Sequence, residues 1–166
     1  MLRKCLHITR QGLKESRRAI HALRASPLEE LGLAQAITHL AEGAAEKANL
    51  QLDLQIPDRP LTLPPEIEQA VYRVAEEALR NVVRHASAQT LTVRLEECDQ
   101  QTIFGIEDDG VGFEQGASRG AGRYGLQGMQ ERAHGIGAHL DIDSQPGRGT
   151  FVQLRWGGLH DPGAHL

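Results

Sequence analysis

The chain has 166 residues, a formal net charge of -4, 40% hydrophobic and 24% charged residues, and only 4% aromatics. That length supports one domain with a sizeable core plus a small appendage, and the composition is that of a soluble globular protein whose interior is left to Leu, Val, Ile and Ala. The acidic balance lacks the footprint of a nucleic-acid binder, no run approaches the ~20 apolar residues that cross a bilayer, and MLRKCLHITRQ is too short of apolar residues for a secretory signal, so the chain reads as cytoplasmic with no membrane contact of its own.

From the N-terminus, Leu2, Leu6, Thr9, Leu13, Ser16, Ile20 and Leu23 recur at alternating steps of four and three. This heptad seam predicts one helix that wants a helical partner, which makes residues 2–24 a candidate homodimer contact; the plainer alternative is a terminal helix packed on its own domain. Ala25-Ser26-Pro27 breaks the pattern, and Leu28 to Asn49 resumes it as a second helix. Leu50 to Ile56 alternates apolar and polar residues and predicts a half-buried strand, with a further short strand at Leu61-Thr62-Leu63. Pro64 and Pro65 then open a long helix, because proline is tolerated where a helix's first N–H groups have no partner anyway. Ile67, Ala70, Val71, Val74, Ala75, Ala78, Val82 and Val83 give it one broad apolar face through Ala86.

Strands follow at Thr90 to Glu96 and Thr102 to Glu107, joined as a hairpin. Asp108 to Tyr124 is glycine-rich and predicts a mobile loop; Gly125 to His134 suits a helix stopped by Gly135 and Gly137. Ala138 to Asp143 and Thr150 to Trp156 form a last pair of strands around the turn Gln145 to Gly149. The expected organisation is a helix at 1–26, one domain at 27–158 and a loose tail at 159–166. Cys5 and Cys98 have no paired spacing and read as idle thiols in a reducing compartment.

Three stretches carry chemistry. On the long helix Glu77, Asn81 and His85 follow at steps of four and line up on one side, a row that on its own is an ordinary solvated flank. Asp108-Asp109-Gly110-Val111-Gly112-Phe113 ends a strand with a carboxylate beside two glycines, which admit a close ligand while the carboxylate accepts from an exocyclic amine. A calcium loop starts similarly, but Gln115 and Ala117 stand where more acidic oxygens are needed. Gly122-Arg123-Tyr124-Gly125-Leu126-Gln127-Gly128 opens a helix whose free N–H groups suit a phosphate chain; it is neither a Walker A loop nor a dinucleotide fingerprint, and alone it would pass for a linker.

Taken in order, with Gly-x-Gly-Thr before the last strand, these stretches resemble the GHKL ATPase superfamily of gyrase, the chaperone and mismatch-repair ATPases and histidine kinases. EEALRNVVRHA, DDGVGF, GRYGLQGMQERA and SQPGRGTFVQL are most similar to the ATP-binding domain of bacterial two-component sensor histidine kinases of the NarX/NarQ and DesK kind. Leu13, Arg17, Arg18, Ile20, Leu23 and Arg24 are similar to the second helix of that family's dimerisation hairpin. The resemblance implies an α+β fold, a two-layer α/β sandwich of the Bergerat or GHKL type with helices on one face of a mixed sheet. It implies ATP between the long helix and the glycine loop, with Asn81 as ligand of Mg²⁺ and Glu77 as base toward an accepting imidazole. Arg84 and His85 would lie near the phosphates, and Asp108 would bind the adenine amino group above Gly110 and Gly112. Gly122, Gly125, Leu126 and Gly128 would close over the phosphates, and Thr150 would lie near adenine.

The implied activity is transfer of the γ-phosphoryl group of Mg·ATP to a histidine, with a response regulator downstream. The alternative is a non-kinase nucleotide-binding module of the same superfamily that controls protein docking. His7 is followed by Ile8 and His21 by Ala22, while His160-Asp161 sits beside Pro162 in a tail with no helical pattern, so none has the acidic neighbour on a helix that an acceptor carries. The acceptor is therefore expected on a helix outside this chain, in the same parent protein or in trans, and such a parent is compatible with an anchor in the inner membrane. Tyr124 stands where many relatives carry histidine. His39, His134, His139 and His165 read as surface residues.

Overall fold

The structure, a computed structural model, describes residues 27–57, 61, 63–98, 101–114 and 122–157. The expected pairing helix at 1–26, the tail at 159–166, and Gly116 and Gly120 of the expected loop lie outside the described residues. Three helices, α1 (Pro27–Ala48), α2 (Pro65–Asn81) and α3 (Gly122–Gly135), accompany five strands, β1 (Gln51–Gln55), β2 (Thr90–Cys98), β3 (Gln101–Asp108), β4 (His139–Ser144) and β5 (Thr150–Gly157). The strands form one sheet in the order β1-β2-β3-β5-β4, with β1 and β2 parallel and the other neighbours antiparallel.

Local chemistry sets the elements. Glu29 and Glu30 occupy the first turn of α1 and Lys47 its last, matching the helix dipole at both ends. Gly32 (φ 76, ψ 167) interrupts α1 after its first turn, a backbone conformation open to glycine at no steric cost. Asn49 takes a left-handed conformation beyond the helix, and the Leu50 N–H returns to the Ala45 carbonyl at 2.9 Å to satisfy the C-terminus. At the start of α2 the Pro64 carbonyl accepts from Ile67 and Glu68, at 2.9 and 3.1 Å.

The registers put Leu91, Val93 and Leu95 of β2 beside Phe104 and Ile106 of β3 and Val152 and Leu154 of β5, all buried on one face. The buried face of α2 covers this row, and α2 in turn packs on α1 and α3. The expected stripe on α2 is present, and Tyr72 and Leu79 join it because a helix packed against both neighbours buries more than one face. On the opposite face of the sheet Arg94 of β2 pairs with Glu107 of β3 at 3.0 Å.

Three expectations change. Leu61 and Leu63 are half-buried against the core but form no strand, for Pro60 and Pro64 beside them have no N–H to give a ladder. Helix α3 begins at Gly122 rather than Gly125, since a first turn needs no N–H partners and Leu126, Met129 and Ala133 anchor the helix on the core. The long helix does not remain α-helical to Ala86; Val82–Ala86 form a π turn.

Phe104 is fully buried at the centre of the sheet. Phe104→Ala should lower unfolding free energy by roughly 3–5 kcal/mol, read from the midpoint of urea denaturation at unchanged slope.

Candidate functional site

Because side chains alternate along a strand, the inward row of β3 that holds Phe104 and Ile106 ends on Asp108, paired in register with Leu91 and Thr150. A carboxylate is thereby delivered to the helix side of the sheet, 5% exposed. Burial pushes its pKa above the ordinary 3.8, opposed by the Gly110 and Thr150 N–H groups, while Asp109 and Glu107 push it further up. The Gly110 N–H reaches Asp108 Oδ1 at 2.9 Å. No described cation neutralises Asp108, which leaves a buried acceptor suited to a donor brought by a ligand.

The end of α2 meets this strand end. Beyond Asn81 the π turn carries Val82–Ala86 to Ser87, itself left-handed, and the Ala86 carbonyl accepts the Val111 N–H at 2.7 Å. A side chain at Gly110 would collide with that carbonyl. Gly112 (φ 58) turns the chain so that Val111 can accept from the Gly147 N–H at 2.7 Å, and its missing side chain leaves room for the Gln145 carbonyl. Ser144, buried at the end of β4, accepts from the Phe113 N–H at 2.9 Å, donates to the Gly149 carbonyl at 3.0 Å and lies 3.0 Å from Thr150 Oγ1. One hydroxyl therefore ties the segment after β3 to the turn between β4 and β5.

Between these pieces and α3 lies a cavity of about 290 Å³. Its walls include Asn81, His85, Asp108, Gly112, Leu126 and Thr150, with Val82, Ile106, Phe113 and Met129 supplying much of the apolar surface. Six of the twelve residues expected at the site thus share one cavity. Glu77 stands off the wall, its Oε2 accepting from Arg80 Nη1 at 2.9 Å and its other oxygen directed at Gly125 in the first turn of α3. Gly110 packs against Ala86, and Gly128 faces Arg132 of its own helix. The exposed Arg84 is not on the wall, and Gly122 starts α3.

Ser144, Phe113 and Met129 were not singled out from sequence. Met129 had a signal, three residues after Leu126 and so on the same helix face; Ser144 had none, because its role depends on the register that sets it opposite Thr150. Asp109 acts differently from its neighbour: its Oδ1 accepts the Gln89 and Thr90 N–H groups at 2.7 and 2.9 Å and so holds the start of β2. The Thr90 N–H is the chief cause that brings its pKa below the ordinary 3.8, with the Gln89 N–H assisting.

The two carboxylates give opposite pH dependence. Asp109, depressed in the fold, contributes stability that is complete above 3.8 and is lost as pH falls through its lower native value. Asp108, raised in the fold, favours folding while protonated and costs stability as pH rises from 3.8 through its higher native value. Asp109→Ala should therefore lower stability at pH 7 by about 1 kcal/mol, with the difference from wild type shrinking toward pH 3. Asp108→Asn without ligand should melt at or above the wild-type temperature at pH 7, as scanning calorimetry would show.

Comparison with known proteins bears on this site. Residues 66–157 match the family described as histidine kinase-, DNA gyrase B- and HSP90-like ATPase. The chain is 30% identical over 151 residues to the signal transduction histidine-protein kinase/phosphatase DegS of Brevibacillus brevis, covering 91% of this chain and 39% of that protein. It is 37% identical over 138 residues to the sensor histidine kinase MctS of Rhizobium johnstonii, covering 81% and 30%. The chain thus spans well under half the length of these relatives. Among solved structures, the histidine kinase domain of the Erythrobacter litoralis EL346 blue-light activated histidine kinase superposes with a TM-score of 0.63 at 20% identity, covering 74% of this chain and 63% of that one. The matched span runs from the first turn of α2 to the end of β5 and takes in every wall of the cavity, and on that ground this chain belongs to the histidine kinase-, DNA gyrase B- and HSP90-like ATPase family.

Proposed function

We propose that the chain is the ATP-binding catalytic part of a sensor histidine kinase, which takes Mg·ATP into the cavity beside α2 and gives its γ-phosphoryl group to a histidine on a helix outside the chain. The observation that carries the reading is the buried Asp108 carboxylate, with no cation on it among the described residues, sharing one cavity with Asn81 in a member of this ATPase family. Asp108 accepts the exocyclic amine of adenine, and Gly112 and Thr150 line the same end of the cavity. Val82, Ile106, Leu126 and Met129 provide apolar surface for the base. His85 and Arg84, exposed beyond Asn81, lie toward the phosphates, where the Arg84 guanidinium supplies positive charge.

The donor set suits Mg²⁺, an ion that takes one or two protein oxygens and fills its remaining positions with phosphates and water. The family resemblance assigns the ion to the amide oxygen of Asn81, a residue that lines the cavity. When bound, the ion would neutralise charge on the phosphate oxygens.

Transfer needs a nucleophile, a leaving group and a place for one proton. The imidazole nitrogen bonds to the γ-phosphorus as the bond to the ADP oxygen breaks, and the ring's N–H proton goes to the Glu77 carboxylate. Leu126 and the first turns of α3 border the cavity and keep water from competing. A response regulator then receives the group. Among the described residues no helix is long and apolar enough to cross a membrane, and the proposed place of work is the cytoplasm.

A second reading, nucleotide-governed docking without transfer, is favoured by one observation: Glu77 stands off the cavity wall with Arg80 on its carboxylate. Glu77→Gln separates the two. It should keep ATP affinity within about twofold while cutting transfer of radiolabelled γ-phosphate to an added histidine-bearing hairpin by about 10²-fold or more. Undiminished transfer would refute the base role. Asp108→Asn should weaken ATP binding by at least about tenfold in calorimetry, the loss of one charge-assisted bond in a buried site, and unchanged affinity would remove Asp108 from the base pocket.

A further inference from the structure

We infer that Gly125 and Arg80 are positioning residues that set where the Glu77 carboxylate sits, an inference that rests on the kinase reading and extends it. The two oxygens of Glu77 are treated differently. Oε2 accepts from Arg80 Nη1 at 2.9 Å, and Arg80 is braced in turn, its Nη2 lying 3.7 Å from Glu76 Oε1 while Glu76 Oε2 pairs with Arg73 Nη1 at 2.9 Å. Arg73, Glu76, Arg80 and Glu77 are thus linked in turn at helical steps of three and four, with Glu77 at the end of the linkage. Oε1 occupies the space that a side chain at position 125 would fill, and nothing larger than hydrogen fits there while the carboxylate keeps its place.

The contact joins two elements with separate duties. Glu77 lies one turn before Asn81 on α2, and Gly125 is in the first turn of α3, the helix that borders the cavity from the other side. A carboxylate set against the first turn of a helix meets the positive end of its dipole, so the seat is electrostatically favourable as well as close. The Arg80 side chain is 41% exposed, and an ion pair in that setting adds little to stability. Its effect is on geometry: of the rotamers open to Glu77, it holds the one that lays Oε1 on Gly125. A proton acceptor displaced by about 1 Å can lose a hundredfold in rate, so both neighbours bear directly on transfer.

A methyl group at position 125 meets the far end of a flexible side chain, which can swing aside at little cost in folding. Gly125→Ala therefore moves the carboxylate without breaking the fold. In the full chain, Gly125→Ala and Arg80→Met should each lower the rate of transfer to the hairpin at saturating ATP by about ten- to a hundredfold. Melting temperature should hold in both variants and ATP affinity in Arg80→Met, and Arg80→Lys, which retains the cation, should recover part of the rate. Combined with Glu77→Gln, neither change should slow the reaction further, since both act through the group already removed.

Wild-type rates in both single variants, with Glu77→Gln still impaired, would overturn the positioning roles and leave the kinase reading intact. Losses that multiply in the Glu77→Gln background would equally overturn them. A Gly125→Ala protein with weakened ATP affinity but a normal saturated rate would assign Gly125 to the phosphates instead. Normal transfer by Glu77→Gln would bring down the base role and this inference together.

Discussion

Where α2 gives way to its π turn, the Ala86 carbonyl accepts the Val111 N–H at 2.7 Å, and the two halves of the site are held by that contact. One half is the end of α2 and its π turn, carrying Asn81 and His85; the other is the end of β3 and the turn after it, carrying Asp108 and Gly112. A π turn places one more residue in its ring than an α turn does, and such turns recur at functional sites because they re-aim a helix end without ending it. Gly110 lets the backbones come this near, and the Ser144 hydroxyl holds the far side of the turn.

Asp108 and Asp109 show how little sequence adjacency says about role. Alternation along β3 sends the first carboxylate inward, away from water and any described cation, and the second outward to accept two N–H groups at the start of β2. The inward group loses hydration and gains only partial compensation from the Gly110 and Thr150 N–H groups, so its charge is held at a cost to the fold. A buried group maintained against stability is one that ligand binding can reward. Asp109 has the reverse balance and serves the scaffold.

Much of the architecture was legible because strong periodicity leaves few alternatives. The step of three and four on α2, the alternation from Leu50 to Ile56 and the strand-like runs bounded by turn residues located each element to within a few residues, and the order of Asn81, Asp108 and the glycine helix suggested one shared site. What stayed hidden depends on geometry that no local pattern encodes. Val82–Ala86 have the same apolar spacing in an α or a π turn, so the unwinding left no trace in the residues. Leu61 and Leu63 have strand-like character, but the ladder they would join is closed to them by neighbouring prolines. The seat of Glu77 on Gly125 lies between residues 48 apart in the chain and needs both helices in place before it exists.

The sheet's margins carry a consequence of their own. One of its two outer strands, β4, reads His139, Leu140, Asp141, Ile142, Asp143 and Ser144, with the Asp141 carboxylate engaged by His139 and Arg155. A strand with an open hydrogen-bonding edge invites a neighbouring molecule to add on and extend it into fibrous stacks. Asp141 and Asp143 set charge along that rim, a feature by which sheet edges disfavour such addition.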